Sequence, residues 1–181
     1  MDIDEFWRLI ERSAREGGGK DGREAWLTAT LRRLDRVDIE DFEIRLQELR
    51  DRVDSARVWS AADVIIDGCS TDGFWYFQCW LIGQGREVFE RAAADPDTLA
   101  DLPALRHLAT RPYGTWSDDE WPEWECLAYV ARPAYPDQEE DALYHAVLAR
   151  GVRLRSDPFK PDWSREHHFP RLRELFPHSR G

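Results

Sequence analysis

Residues 70–85 read STDGFWYFQCWLIGQG, and from Phe74 to Ile82 every position is apolar or aromatic except Gln78. Ser70 and Thr71 are residue types that cap helix N-termini, and Asp72 places negative charge at the positive end of the helix dipole. Gly83 and Gly85 supply a stop, because glycine adopts the left-handed backbone that closes a helix. The pattern predicts a helix over 71–83 that is apolar around nearly its whole circumference. Such a helix must be enclosed on all sides. It is shorter than the roughly 18 apolar residues that cross a membrane, so the enclosure has to be protein. A chain built around such a pillar is constrained to a multi-helix bundle, and Gln78 is the buried amide most in need of a partner.

The rest of the chain supplies helices to surround it. Ile3, Phe6, Trp7 and Ile10 repeat at i, i+3, i+4, i+7 behind Asp2 and Asp4, either of which can cap the first turn. EGGGKDG at 16–22 breaks the chain, and a second helix presents Trp26, Leu27, Leu31 and Leu34 inward. Over 37–55, Ile39, Phe42, Leu46, Leu49 and Val53 form the clearest amphipathic stripe, with Asp38 as the expected N-cap and a charged face assigned to solvent. Residues 56–68 predict another helix, with Val58, Ala61, Ala62 and Ile65 inward and Gly68 at its end. Asp95-Pro96 ends a further helix, and Asp97 or Thr98 begins a short one.

From 103 to 124 the pattern fails: three prolines, a glycine and Trp116, Trp121 and Trp124 predict an irregular loop wrapped over the helices. A helix is expected again over 122–135, started by Pro122 and ended or kinked at Pro133. Residues 137–151 are open between loop and short helix, and VRLRS at 152–156 is the best strand candidate in a chain without convincing alternation. The expectation is one mostly-α domain over residues 1–181, with 151–181 a basic arm packing on it.

Charge decides which partners are excluded. Residues 1–149 carry 17 basic and 32 acidic side chains, a net of −15, while 150–181 carry 8 and 4, a net of +4. The acidic body repels phosphate backbones, so nucleic-acid binding is disfavoured, and the basic arm is expected to lie back on the body through its apolar anchors. MDIDEFWRLIERS lacks the basic start and continuous apolar stretch of a signal peptide, which predicts a cytoplasmic protein without membrane contact. Two lysines, Lys20 and Lys160, against 23 arginines suggest a GC-rich bacterial source.

Few residues offer chemistry. Gly83-Gln84-Gly85 superficially resembles a dinucleotide-binding turn, but a helix is expected before it and Val88 stands where a third glycine is required. The cysteines Cys69, Cys79 and Cys126 are odd in number and form no CxxC pair, so reduced thiols are expected. Cys69, just before a helix N-terminus, is the candidate nucleophile because the dipole there can lower a thiol's pKa. Adjacent His167 and His168 diverge on a helix, and the acidic stretch over 118–141 lacks calcium-loop spacing, so neither a metal nor a cofactor is expected. Trp116, Trp121 and Trp124 beside Glu123 and Glu125 are different. Tryptophan next to carboxylate suits a cationic partner if the rings are exposed, and roofs the core if they are not. Asp72 and Gln78 complete the binding candidates.

Four stretches resemble DUF4240, a bacterial family of unknown function: FW-x-L-I at Phe6 to Ile10, W-x-A-A at Trp59 to Ala62, D-x-F-x-x-F-x-x-W-L-I-x-x-G at Asp72 to Gly85, and F-P-R-L at Phe169 to Leu172. The resemblance implies a bacterial α-helical domain and brings no activity, substrate or catalytic residue. The family pattern often has arginine at the position of Gln78 and an acidic residue at that of Gly73, so a charged pair in the family does not transfer here.

Three functions follow as expectations. The first is a non-enzymatic helical domain that binds a protein or peptide partner through the 116–125 loop. The second is a small-molecule-binding protein with a pocket lined by Trp59, Trp75 and Trp80. The third is an enzyme using Cys69 or a carboxylate pair, disfavoured because no nucleophile, base and orienting group share a recognisable spacing.

Overall fold

Asp2 accepts a hydrogen bond from the Glu5 N–H while the Glu5 carboxylate accepts from the Asp2 N–H, a reciprocal cap that starts α1 (Ile3–Glu16). The computed structural model describes residues 1–137, 139, 141–152 and 167–177. Beyond α1 the described residues form α2 (Lys20–Leu31), α3 (Arg36–Val53), α4 (Ala56–Ile66), α5 (Thr71–Gly83), α6 (Arg86–Ala94), α7 (Pro103–Leu108), α8 (Ala142–Ala149) and α9 (Pro170–Leu175). Short 3₁₀ turns occupy Pro96–Asp101, Tyr113–Thr115, Glu125–Tyr129 and Arg132–Ala134, and none of the described residues lies in a strand. The protein is mostly α.

Helix α5 is the pillar that its composition demands. The Ser70 hydroxyl accepts from the Gly73 N–H at 3.0 Å to start it, and α1, α3, α4, α6 and the Glu125–Tyr129 turn pack around it. Phe74, Phe77, Cys79, Leu81 and Ile82 are fully buried. Each large side chain so enclosed contributes about 1.5–3 kcal/mol of apolar burial. Around this centre Phe6 meets Phe42 at 4.9 Å and Trp7 meets Phe89 at 5.4 Å, which ties α1 to α3 and α6. Trp59 stacks on Phe74 at 4.5 Å, joining α4 to α5.

The two glycines that end α5 have different tasks. Gly85 has φ 91°, the left-handed region that favours glycine, and it turns the chain into α6. Gly83 keeps helical geometry, but a β-carbon there would lie 2.7 Å from the Trp124 ring. Its role is to admit that ring. Helix α4 ends at Ile66, two residues short of the expected Gly68, with Asp67 itself in the left-handed conformation at φ 53°.

Several expectations need correction. Asp35, not Asp38, precedes the first turn of α3, and Asp38 instead pairs with the Met1 amino group at 2.7 Å. The loop expected over 103–124 begins with helix α7, because Pro103 suits a first helical position and Leu105 and Leu108 give it an inward face. Over 122–135 the expected helix is replaced by two 3₁₀ turns, and Pro133 lies inside the second. Residues 142–149 form a helix, and the strand candidate at 152–156 falls largely outside the described residues. Helix α3 also buries part of the face assigned to solvent: Glu40, Gln47 and Arg50 are all buried.

Of the basic arm, residues 167–177 pack on the body. The Asp97 carboxylate accepts from the Leu172 N–H at 2.9 Å and the Arg171 N–H at 3.2 Å, capping α9 from a distant turn. Arg171 also pairs with Asp101.

Gly83→Ala should cost about 1–3 kcal/mol of stability by overpacking against Trp124. Gly114, with open space around its α-carbon, serves as the control. Its alanine variant should match the parent within about 1 kcal/mol. Urea titrations of the two variants check both values.

Candidate functional site

The 116–125 segment is held down at both ends. At its start the Trp116 indole N–H donates to the Leu108 carbonyl at 3.2 Å and the Arg111 carbonyl at 3.3 Å. Ser117 and Glu120 then close a tight turn, the Ser117 N–H and hydroxyl both donating to Glu120 Oε2 at 3.0 and 2.9 Å. Those bonds, with the Arg111 guanidinium at 2.6 Å, hold the Glu120 carboxyl down to about 2. Asp119 reaches α2, where its carboxylate accepts from the Lys20 N–H at 2.6 Å and caps that helix. The Lys20 ammonium donates to the Trp121 carbonyl at 2.7 Å.

At the far end Trp124 is locked. Its backbone N–H donates to the Tyr76 carbonyl at 2.9 Å, its ring lies over Gly83, and the Arg23 guanidinium stacks on it 4.3 Å from the centroid. Arg23 also donates to the Gly83 carbonyl at 2.8 Å, and burial lowers its pKa to about 10, which leaves it charged at neutral pH. The Tyr76 hydroxyl donates to Glu125 at 2.9 Å.

The tryptophans are therefore not a displayed aromatic face. Trp124 is 3% exposed and Trp116 9%, while Trp121 is half-buried against the core. They roof the core: the carbonyls of Leu108 and Arg111 accept from the Trp116 indole, and Arg23 and Gly83 hold the Trp124 ring by stacking and close approach. Trp59 and Trp80 are likewise buried among core rings.

Cys69 and Glu123 meet at the start of α5. A β-carbon at Gly73 would lie 2.9 Å from Glu123 Oε1 and 3.8 Å from Cys69 Sγ, so the absent side chain of Gly73 makes room for that carboxylate. Burial pushes the Cys69 thiol well above its ordinary range, and the Glu123 and Asp63 carboxylates push the same way. Burial, the largest of these causes, acts against the lowering expected from the helix dipole, and the Glu123 carboxylate at the start of α5 adds to it. Glu123 itself is raised by burial, and the Trp121 indole and Lys20 work against that rise. Asp72 is exposed in the first turn, and Gln78 is buried with no partner for its amide nitrogen among the described residues. Among the described residues no group of three or more His, Cys, Asp or Glu side chains is placed to hold a metal, and no helix is long and apolar enough to cross a membrane.

What sequence reading missed is a cleft. Ala109, Pro112, Tyr113 and Trp116 face Leu175, Phe176 and Pro177 across a cleft of about 410 Å³. Trp116 sits at its base, 4.6 Å from the Tyr113 ring and 6.3 Å from Phe176. Both walls come from segments distant in sequence, and only the clustering of Pro and aromatic residues in each hinted at it.

Residues 1–137 match the family model described as a protein of unknown function, DUF4240. The chain belongs to the DUF4240 family. The match takes in α1 to α7 and both walls of the Arg23–Trp124–Gly83 contact, whereas the F-P-R-L likeness at Phe169 to Leu172 lies beyond it. The chain matches no curated protein and no solved structure. In this DUF4240 domain one wall of the cleft, 109–116, is family sequence, and the other, 175–177, falls outside the matched residues.

All three thiols should resist labelling in the folded protein at pH 8, since burial also pushes Cys79 and Cys126 up to about 11. Ellman's reagent should titrate them readily only after denaturation. Rapid modification of Cys69 in the native state would restore it as a nucleophile.

Proposed function

We infer that this domain is a non-enzymatic recognition module that receives an apolar side chain from a basic segment of a partner protein. The observation that carries the reading is the cleft between Tyr113, Trp116 and Phe176, walled by Pro112 and Pro177. Rigid aromatic and proline walls are the composition of grooves that dock extended peptides, because they offer contact area at little cost in side-chain entropy. Charge supports the choice of a basic partner. Residues 117–125, which continue directly from Trp116, carry Asp118, Asp119, Glu120, Glu123 and Glu125 with no cation among them. Arg111, which lines the cleft, is neutralised by its 2.6 Å contact with Glu120. A segment with an apolar anchor flanked by arginine or lysine satisfies both features.

The reading is tested with fluorescein-labelled short peptides, each with a central leucine or phenylalanine flanked by arginines or, in a matched set, by glutamates. Fluorescence anisotropy should show the arginine-flanked set binding and the glutamate-flanked set not. Tyr113→Ala should weaken that binding by about tenfold or more, as removal of an aromatic anchor does. Equal binding of both sets, no binding by either, or indifference to Tyr113→Ala would refute it.

A further inference from the structure

Helix α3 carries a second, polar stripe beside its apolar one. Glu43, Gln47 and Arg50 recur at i, i+4 and i+7 and share one face of the helix. At the seam with α5, Arg50 lies directly over the Trp75 ring, its Cζ 3.2 Å from the centroid, and Cys79 is close enough for its thiol to feel the guanidinium charge. Arg50 is 5% exposed, and among the described residues its buried Nε and Nη2 have no hydrogen-bond partner. Those two nitrogens form one edge of the guanidinium, the edge whose parallel N–H bonds match the two oxygens of a carboxylate. One turn along α5 from Trp75, Gln78 is 2% exposed and its Nε2 is likewise unpartnered.

A buried guanidinium without an acceptor is among the more costly arrangements a core can hold. The chain's own carboxylates do not answer it. Asp51 accepts from the Gln47 amide at 2.9 Å, and among the described residues Glu43 and Arg50 form no ion pair. Desolvation raises the carboxyl of the half-buried Glu43 to about 7, with Arg50 only partly opposing the rise.

We propose that the α3–α5 seam binds a small organic carboxylate, held by both N–H bonds of the Arg50 Nε–Nη2 edge with the Gln78 amide as a further donor. The stacking of Arg50 on Trp75 fixes the plane in which the two oxygens are presented. One guanidinium with Glu43 and Asp51 close by favours a single negative charge, which selects a carboxylate over a phosphate dianion. Trp75 is half-buried, and Tyr129, whose phenol is electrostatically coupled to Arg50, is 51% exposed. Arg50 itself is 5% exposed, so entry to its edge requires displacement of the side chains packed over it.

The site is tested by calorimetry and thermal shift with acetate and benzoate, against inorganic phosphate and benzylamine. At least one carboxylate should bind and stabilise the protein, and phosphate and benzylamine should not. Arg50→Lys, which keeps the charge and removes the two-pronged edge, should weaken carboxylate binding by about tenfold or more. Tyr113→Ala should leave it unchanged, which separates this site from the peptide cleft. Absence of binding by both carboxylates, equal binding of phosphate, or parental affinity in Arg50→Lys would overturn the proposal. If circular dichroism shows Arg50→Lys to be unfolded, Gln78→Met is read in its place. Loss of affinity there supports the site, and unchanged affinity overturns it.

Discussion

The contact on which the rest of the structure depends is made by Arg23. From α2 it donates through Nε to the Ser13 hydroxyl at 3.2 Å and through Nη2 to the Gly83 carbonyl at 2.8 Å, while its plane covers Trp124. One side chain thereby joins α1, α2, the end of α5 and the start of the Glu125–Tyr129 turn. Half-buried and stacked on an aromatic ring, it sits where a charge-assisted hydrogen bond is worth more than at the surface. Gly83 is the geometric condition for this arrangement, since any side chain there would expel the Trp124 ring.

With that joint in place the pillar helix can be surrounded, and the irregular segment can lie flat. Trp116, Trp121 and Trp124 turn inward because each finds a polar or aromatic partner below it: carbonyls for the Trp116 indole, the Glu123 carboxylate for Trp121, a guanidinium for Trp124. Their carboxylate neighbours are then placed at the ends of other helices. Asp119 caps α2, and Glu123 sits against Gly73 at the start of α5. The acidic segment commits its carboxylates to the fold: Glu120 closes its own turn and Glu125 accepts from the Tyr76 hydroxyl.

The pillar, its cap at Ser70 and its stop at Gly85 were legible from residues 70–85, because local chemistry decides them. So were the apolar stripes of α1 and α3. The fate of the loop tryptophans was not, because it depends on Arg23 and Gly83, which lie about 100 and 40 residues away in the chain. Arg50 was misassigned for a related reason. A charged residue on the polar side of an amphipathic helix looks solvated, and nothing in periodicity reveals that α5 covers it. Gln78 stood out only because it interrupts an apolar run. The helix expected over 122–135 failed because Pro133 and the pairing of Trp124 with Tyr76 set the local backbone.

The capping of α2 has a consequence for how the chain acquires its shape. The N–H of Lys20 finds its acceptor in Asp119, 99 residues later, and the first turn of α9 finds its own in Asp97, 75 residues earlier. A growing chain that has made α1 and α2 therefore possesses their apolar faces but not the group that closes the start of α2. Early helical hairpins stay frayed until the later segment arrives. Completion of these two helix starts therefore waits on contacts far apart in sequence, which couples the ends of the chain to one another in the final fold.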